Sequence, residues 1–262
     1  MNVGIDVTVP ELAATLVLVG IAVAVSIWQR TGLEEDIAVA VARSFVQLTA
    51  IGFVINFIFD QDRLVFVVAL ISFMVLFGAF TARGRARSVP GAFWPLFGAL
   101  ALAATTTLVL VVALGIFEAK ARFLVPVGGM VVGNSMTAAA VALNRLGDEV
   151  RSGANRIEAT LALGATSTQA MLPVIRRSLR SAMIPLIDST KTTGIVFFPG
   201  TMVGTLLAGA DPTDAVRLQL ILLWTLLGSV ALAALTATGL AYRNFFTPAH
   251  QLLDLPPVTG KA

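Results

Sequence analysis

Few residues in this chain have chemistry to offer, and the informative ones stand inside long apolar stretches. Arg43 and Gln47 are four apart, so on a helix they share a face. That face is a lining for an anionic substrate, one half of a salt bridge between helices, or an arginine whose head snorkels to the nearer membrane surface. Asp188 and Lys191 are three apart, close enough on a helix to neutralise each other, with a cation site at Asp188 as the alternative. Asn134 lies among Pro126, Gly128, Gly129, Gly133, Ser135 and Thr137, with Met130 and Met136 beside it. Small residues at this density let helices approach closely. The other reading is the wall of a pathway, with the Asn134 carbonyl and the methionine sulfurs facing it, although methionine in such a span is commonly packing filler. A charge at the bilayer centre costs about 3 kcal/mol on insertion scales, so each of these groups requires a partner or water.

Motifs for bond-making are missing. No GxxxxGK followed by Ser or Thr, no HExxH and no GxSxG occurs, there is no cysteine, and His250 is the single histidine. Asp188 is the one carboxylate inside an apolar span, which leaves no pair for general acid and base work. The chain reads as a non-enzyme that binds no cofactor itself, with any metal ligands unknown. Its net charge of +3 is spread between apolar spans, a pattern that does not fit nucleic acid.

The elements that must hold these residues follow from composition. Of 262 residues, 57% are apolar and 13% charged, with a mean hydropathy of +0.89. Soluble domains carry roughly twice that share of charge, and porin-like strands leave a weaker signal. The expected fold is all-α, a polytopic helical membrane protein forming a single domain over 1–262. About 20 apolar residues cross a bilayer as a helix, and seven stretches qualify: Leu12 to Trp28, Ile37 to Phe59, Leu64 to Ala82, Phe93 to Phe117, Phe123 to Leu143, Ile184 to Ala208 and Leu218 to Tyr242. If the sixth begins near Ile184, Asp188 lies in its first turns, where the helix dipole favours an acid. Gly194, Pro199 and Gly200 offer places for that helix to break.

Seven spans sort the cations cleanly. Arg30, Arg83, Arg85, Arg87, Arg145, Arg151, Arg156, Arg176, Arg177, Arg180, Arg243 and Lys261 fall on one side, against Arg63, Lys120, Arg122 and Arg217 on the other. The positive-inside rule then sets the N-terminus outside and the C-terminus in the cytoplasm. Asp6 and Glu11, with no Lys or Arg near them, do not make a signal-peptide n-region, so the first span is expected to be retained.

The connection from Asn144 to Met183, about 144–183, is the least apolar part of the chain and carries six arginines. Within it, EATLALGAT (Glu158 to Thr166) resembles the EAAxxxG coupling motif of ABC-transporter permeases, two short cytoplasmic helices joined at a glycine, one of which docks into a cleft on an ATPase subunit. On that resemblance Glu158, Ala159, Gly164, Arg176 and Arg177 would serve coupling. ARSFVQL (Ala42 to Leu48), PVGGMVVGNSM (Pro126 to Met136) and IPLIDSTKTTGIVFFPGTMVGTLLAGADP (Ile184 to Pro212) are similar to FetB-type iron-export permeases and to plant permeases implicated in aluminium tolerance. The resemblance implies a permease subunit of the inner membrane, working as a homodimer with an ABC ATPase that holds the ATP and Mg, and exporting iron or a related metal species. Arg43, Gln47, Met130, Asn134, Met136, Asp188 and Lys191 are the pathway candidates. The residues alone also admit a gradient-driven carrier or channel, or a scaffold that recruits a soluble protein through the arginine-rich connection.

Overall fold

The computed structural model describes residues 9–253; Asp6 and Lys261, which entered the charge reading, lie outside them. The chain folds as helices α1 (Val9–Gln29), α2 (Glu34–Gln61), α3 (Leu64–Arg83), α4 (Phe93–Ala113), α5 (Ala121–Ser152), α6 (Ala154–Ala162), α7 (Ser167–Thr192), α8 (Gly200–Leu207) and α9 (Pro212–Ala241), closed by a 3-10 turn, Tyr242–Phe245. Among the described residues six of these helices, α1 to α5 and α9, are long and apolar enough to cross a membrane.

The hub is α5. Packing neighbours run α3, α4, α9, α7 around it. Its buried face carries Val131, Ser135, Ala138, Ala139, Ala142, Leu143, Leu146 and Val150, and it meets Ala233, Ala234 and Ala237 of α9 in the same core. Alanine and serine at these positions bring helix axes together where no hydrophobic effect drives helices out of lipid. At 32 residues α5 is about 48 Å long at 1.5 Å per residue, well beyond a hydrocarbon core of about 30 Å. Its last turns therefore leave the bilayer and continue to pack, with Leu146, Val150, Ile157, Met171 and Val174 forming a core beyond the apolar span. The hairpin of α1 and α2 stands apart, with Ile58 the buried residue of α2.

Long-range hydrogen bonds fix which ends lie together. Asn244 Nδ2 donates to the Pro90 carbonyl at 2.9 Å, and the Tyr242 and Thr168 hydroxyls meet at 3.0 Å, so the α3–α4 connection, the start of α7 and the end of α9 share one end of the bundle. Asp62 accepts from the Ala121 amide at 3.2 Å at the other end. Between the start of α7 and the start of α9 the chain must therefore travel from one end to the other.

That traverse departs from the sequence reading. The sixth span was expected as one helix from Ile184 to Ala208, and it is instead the second half of α7, a break and the short α8. A Thr166/Gln169 capping box starts α7 far upstream of Ile184: the Thr166 hydroxyl accepts from the Gln169 amide, and the Gln169 side chain accepts from the Thr166 amide. The helix then runs through Pro173 and Pro185 to Thr192. Only the second half of α7, from Ile184, is apolar enough to read as a span. The break follows from Thr192 and Thr193, whose hydroxyls donate to the Asp188 and Ser189 carbonyls, from Gly194 at φ +83°, and from Pro199, which lacks the N–H a continuing helix needs.

Candidate functional site

Two features could act on something outside the bundle: a turn that projects from one end, and a groove along the exposed side of α5. The turn joins α6 to α7 through Leu163, Gly164 and Ala165. Gly164 has φ +87°, a left-handed conformation that costs other residues roughly 1–2 kcal/mol. The buried Ile157 anchors α6 on the core, while Glu158 and Ala159 face outward. Leu163, at the tip, is 90% exposed. An apolar side chain held clear of the protein on a fixed turn suits insertion into a partner's cleft, and sequence reasoning passed over it because a leucine in an apolar motif looks like core. The expected pair of short helices is half right: α6 has nine residues, but its mate is the 26-residue α7. A displacement at the turn would therefore be carried directly into the membrane-level part of α7.

The arginines of this region divide. Arg176 is exposed. Arg177 faces inward, its Nε donating to Glu149 Oε2 at 2.7 Å, while Arg145 Nη2 meets Glu149 Oε1 at 2.7 Å. Glu149, 13% exposed, thus ties the end of α5 to α7. Arg177 is a coupling candidate on the resemblance, and the structure adds its ion pair to Glu149, a residue the sequence reading missed and whose i,i+4 spacing from Arg145 was the only available signal.

The groove encloses about 250 Å³ between α5, α7 and α9 and is lined by Asn134, Thr137, Val141, Pro185, Ser189 and Val230 among others. Asn134 Nδ2 donates to the Met130 carbonyl and the Thr137 hydroxyl to the Gly133 carbonyl, each on its own helix. The Asn134 amide oxygen and second N–H and the Ser189 hydroxyl remain as polar groups on the groove wall. Asp188 and Lys191 form the expected ion pair at 3.6 Å, with side chains 64% and 70% exposed, on the α7 face next to the groove. Their place on the helix is the reverse of the expectation. Both lie in the last two turns of α7, so the dipole favours Lys191 and opposes Asp188.

Arg43 and Gln47 are exposed on α2, and the structure does not bring them into the groove. The Arg43 guanidinium carbon lies 5.8 Å from the centre of the Phe77 ring on α3. The next residue, Gly78, packs against Val132 and Met136. Arg43 therefore stands near the depth of mid-α5, beside α3 and outside the groove lining. Met130 and Met136 are partly buried against the core, where they fill space.

An all-helical bundle with these spans, an open intramembrane groove and a projecting turn defines a polytopic helical membrane protein. A family model described as uncharacterised protein family UPF0014 matches residues 9–246, and the chain belongs to that family. It is 39% identical over 241 residues to Protein ALUMINUM SENSITIVE 3 of Arabidopsis thaliana, covering 92% of this chain and 88% of that protein. It is 40% identical over 243 residues to UPF0014 membrane protein STAR2 of Oryza sativa, with 93% and 85% covered. Against the "Probable iron export permease protein FetB" of Escherichia coli the identity is 36% over 248 residues, with 95% and 96% covered. No solved structure matches the chain.

Proposed function

We propose that this chain is a permease, the membrane subunit of an ATP-driven exporter that moves iron or a related metal species out of the cytoplasm. The cargo is taken from the relative named as an iron export permease. The observation that carries the ATP-driven part is the turn at Leu163 and Gly164, an exposed apolar tip rigidly continuous with a helix that lines the groove. The chain itself does no bond chemistry in this reading; ATP and Mg belong to a separate ABC ATPase that grips the turn. The cation excess supports a cytoplasmic location for the end bearing the turn, with the N-terminus outside, and the Escherichia coli relative supports an inner-membrane location.

The groove is open along α5, where Gly133, Asn134 and Thr137 are exposed between α3 and α7. In hydrocarbon an exposed amide and an exposed ion pair are costly. A second copy closing over this strip removes that cost and encloses a pathway walled by Asn134, Ser189, Asp188 and Lys191, with Arg43 at its margin. Alternating access then consists of α7 moving against α5 when the turn is displaced.

Co-expression with a cognate ABC ATPase, followed by reconstitution, tests the reading. Iron efflux should require ATP and both subunits, and Glu158→Lys should reduce capture of the ATPase while the permease still purifies as one species. ATP-independent flux would instead identify a gradient-driven carrier, and capture without any flux would identify a scaffold.

A further inference from the structure

The connection between α3 and α4 carries Arg83, Arg85 and Arg87 within five residues and no acidic side chain. Such a segment could be a loose solvated loop, but here it is held down. Ala86, Val89 and Ala92 are buried beneath it. Ser88 bonds the Asn144 carbonyl at 3.3 Å, and Asn244 holds the Pro90 carbonyl from the far end of the chain. The arginines therefore project from a rigid platform. Arg83 stacks on Phe80, 5.1 Å from the ring centre. Arg87 spends its Nε on the Gly84 carbonyl at 3.0 Å, which leaves its two Nη groups for another acceptor. Among the described residues no carboxylate pairs with any of the three.

Arg83, Arg87, Phe93 and Trp94 border a cavity of about 560 Å³ over Ala86, Val89 and Ala92. Its depth is set by the helices: Arg83 ends α3 and Trp94 is in the first turn of α4, both long enough to cross a bilayer. The cavity therefore stands where hydrocarbon gives way to headgroups. Trp94 is 71% exposed there, at the level that tryptophan favours in a membrane.

We propose that this cavity is a binding site for an anionic phospholipid, with Arg83 and Arg87 on the phosphodiester and Trp94 against the glycerol and upper acyl chain. Guanidinium groups match phosphate oxygens with paired donors, and basic pockets at the end of spanning helices take anionic headgroups for this reason. A zwitterionic headgroup carries the same phosphate but brings an ammonium toward three cations. An acidic protein surface is the competing occupant, and the exposed tryptophan at the end of a spanning helix favours lipid over it. Bound lipid would brace the platform that Ser88 joins to α5 and Asn244 joins to the C-terminal tail.

The test uses the full chain with Trp28→Phe and Trp224→Phe, which leaves Trp94 as its sole tryptophan. It is reconstituted in bilayers where either phosphatidylglycerol or phosphatidylcholine carries brominated acyl chains, and Trp94 fluorescence is followed. Brominated phosphatidylglycerol should quench Trp94 at a lower mole fraction than brominated phosphatidylcholine. Arg83→Gln with Arg87→Gln should weaken that preference by roughly fivefold per arginine, and the lysine pair should keep part of it. Equal quenching by the two lipids in the parent chain overturns the proposal without any arginine variant. A preference unchanged in the glutamine pair also overturns it, and if that pair loses the ATPase instead, the cavity belongs to a protein partner.

Discussion

Replacing Glu149 by Gln tests whether α5 and α7 are held as one unit. Both carboxylate oxygens are engaged at 2.7 Å, one by Arg145 and one by Arg177. The Arg177 Nη2 is already buried without a partner, so neutralising Glu149 leaves a half-enclosed guanidinium facing no opposite charge. Exposed ion pairs contribute about 0–1 kcal/mol, and breaking a buried one costs about 3–5 kcal/mol. The arginine side chains are 50% and 39% exposed and Glu149 is 13% exposed, which puts Glu149→Gln between these limits, near a loss of about 2 kcal/mol. At roughly 2–4 °C per kcal/mol for a chain of this size, the unfolding midpoint in detergent should fall by about 4–8 °C. Arg177→Gln should be destabilising alone, and the double variant should be more stable than the sum of the two losses by about 1 kcal/mol or more. A thermal melt followed by size-exclusion of the surviving fraction measures all three. Additivity of the two single changes would refute the clamp.

Four further outcomes are expected. Leu163→Asp should abolish capture of the ATPase while leaving the melt of the permease unchanged, since the side chain touches little of its own chain; a pull-down against the parent protein reads this. Gly164→Ala should lower stability by about 1–2 kcal/mol through its positive φ, seen in the same melt. Gly147→Ala should cost about 1–3 kcal/mol, because a Cβ there would stand 2.3 Å from Ser88 Oγ; Ser88→Gly should recover part of that loss. Asn134→Leu should reduce efflux in reconstituted vesicles while ATPase capture persists, and undiminished efflux would remove the groove from the pathway.

Much of the architecture was legible because hydropathy is a property of segments. Runs such as Leu64 to Ala82 and Leu218 to Tyr242 report a spanning helix whatever packs against them, and α3 and α9 occupy those positions. The Asp188–Lys191 pair was legible because it is local, three residues apart on one helix. The start of α7 was missed for a related reason. Its first half is polar and its cap at Thr166 lies outside any apolar run, so the window that found Ile184 onward placed the ion pair at the wrong end of a helix dipole.

Sequence determined the membrane class and the turn at Gly164, and it offered Gly194, Pro199 and Gly200 as places for a break, since each depends on the composition or backbone freedom of neighbouring residues. Tertiary structure decided that Glu149 pairs with Arg177, that Ser189 of α7 and Asn134 of α5 line one groove, and that Ser88 and Asn244 turn an arginine-rich connection into a platform. Those relations join residues 28 to 154 positions apart. No local propensity carries such distances; they exist only once the buried small residues of α5 have set how closely its neighbours approach.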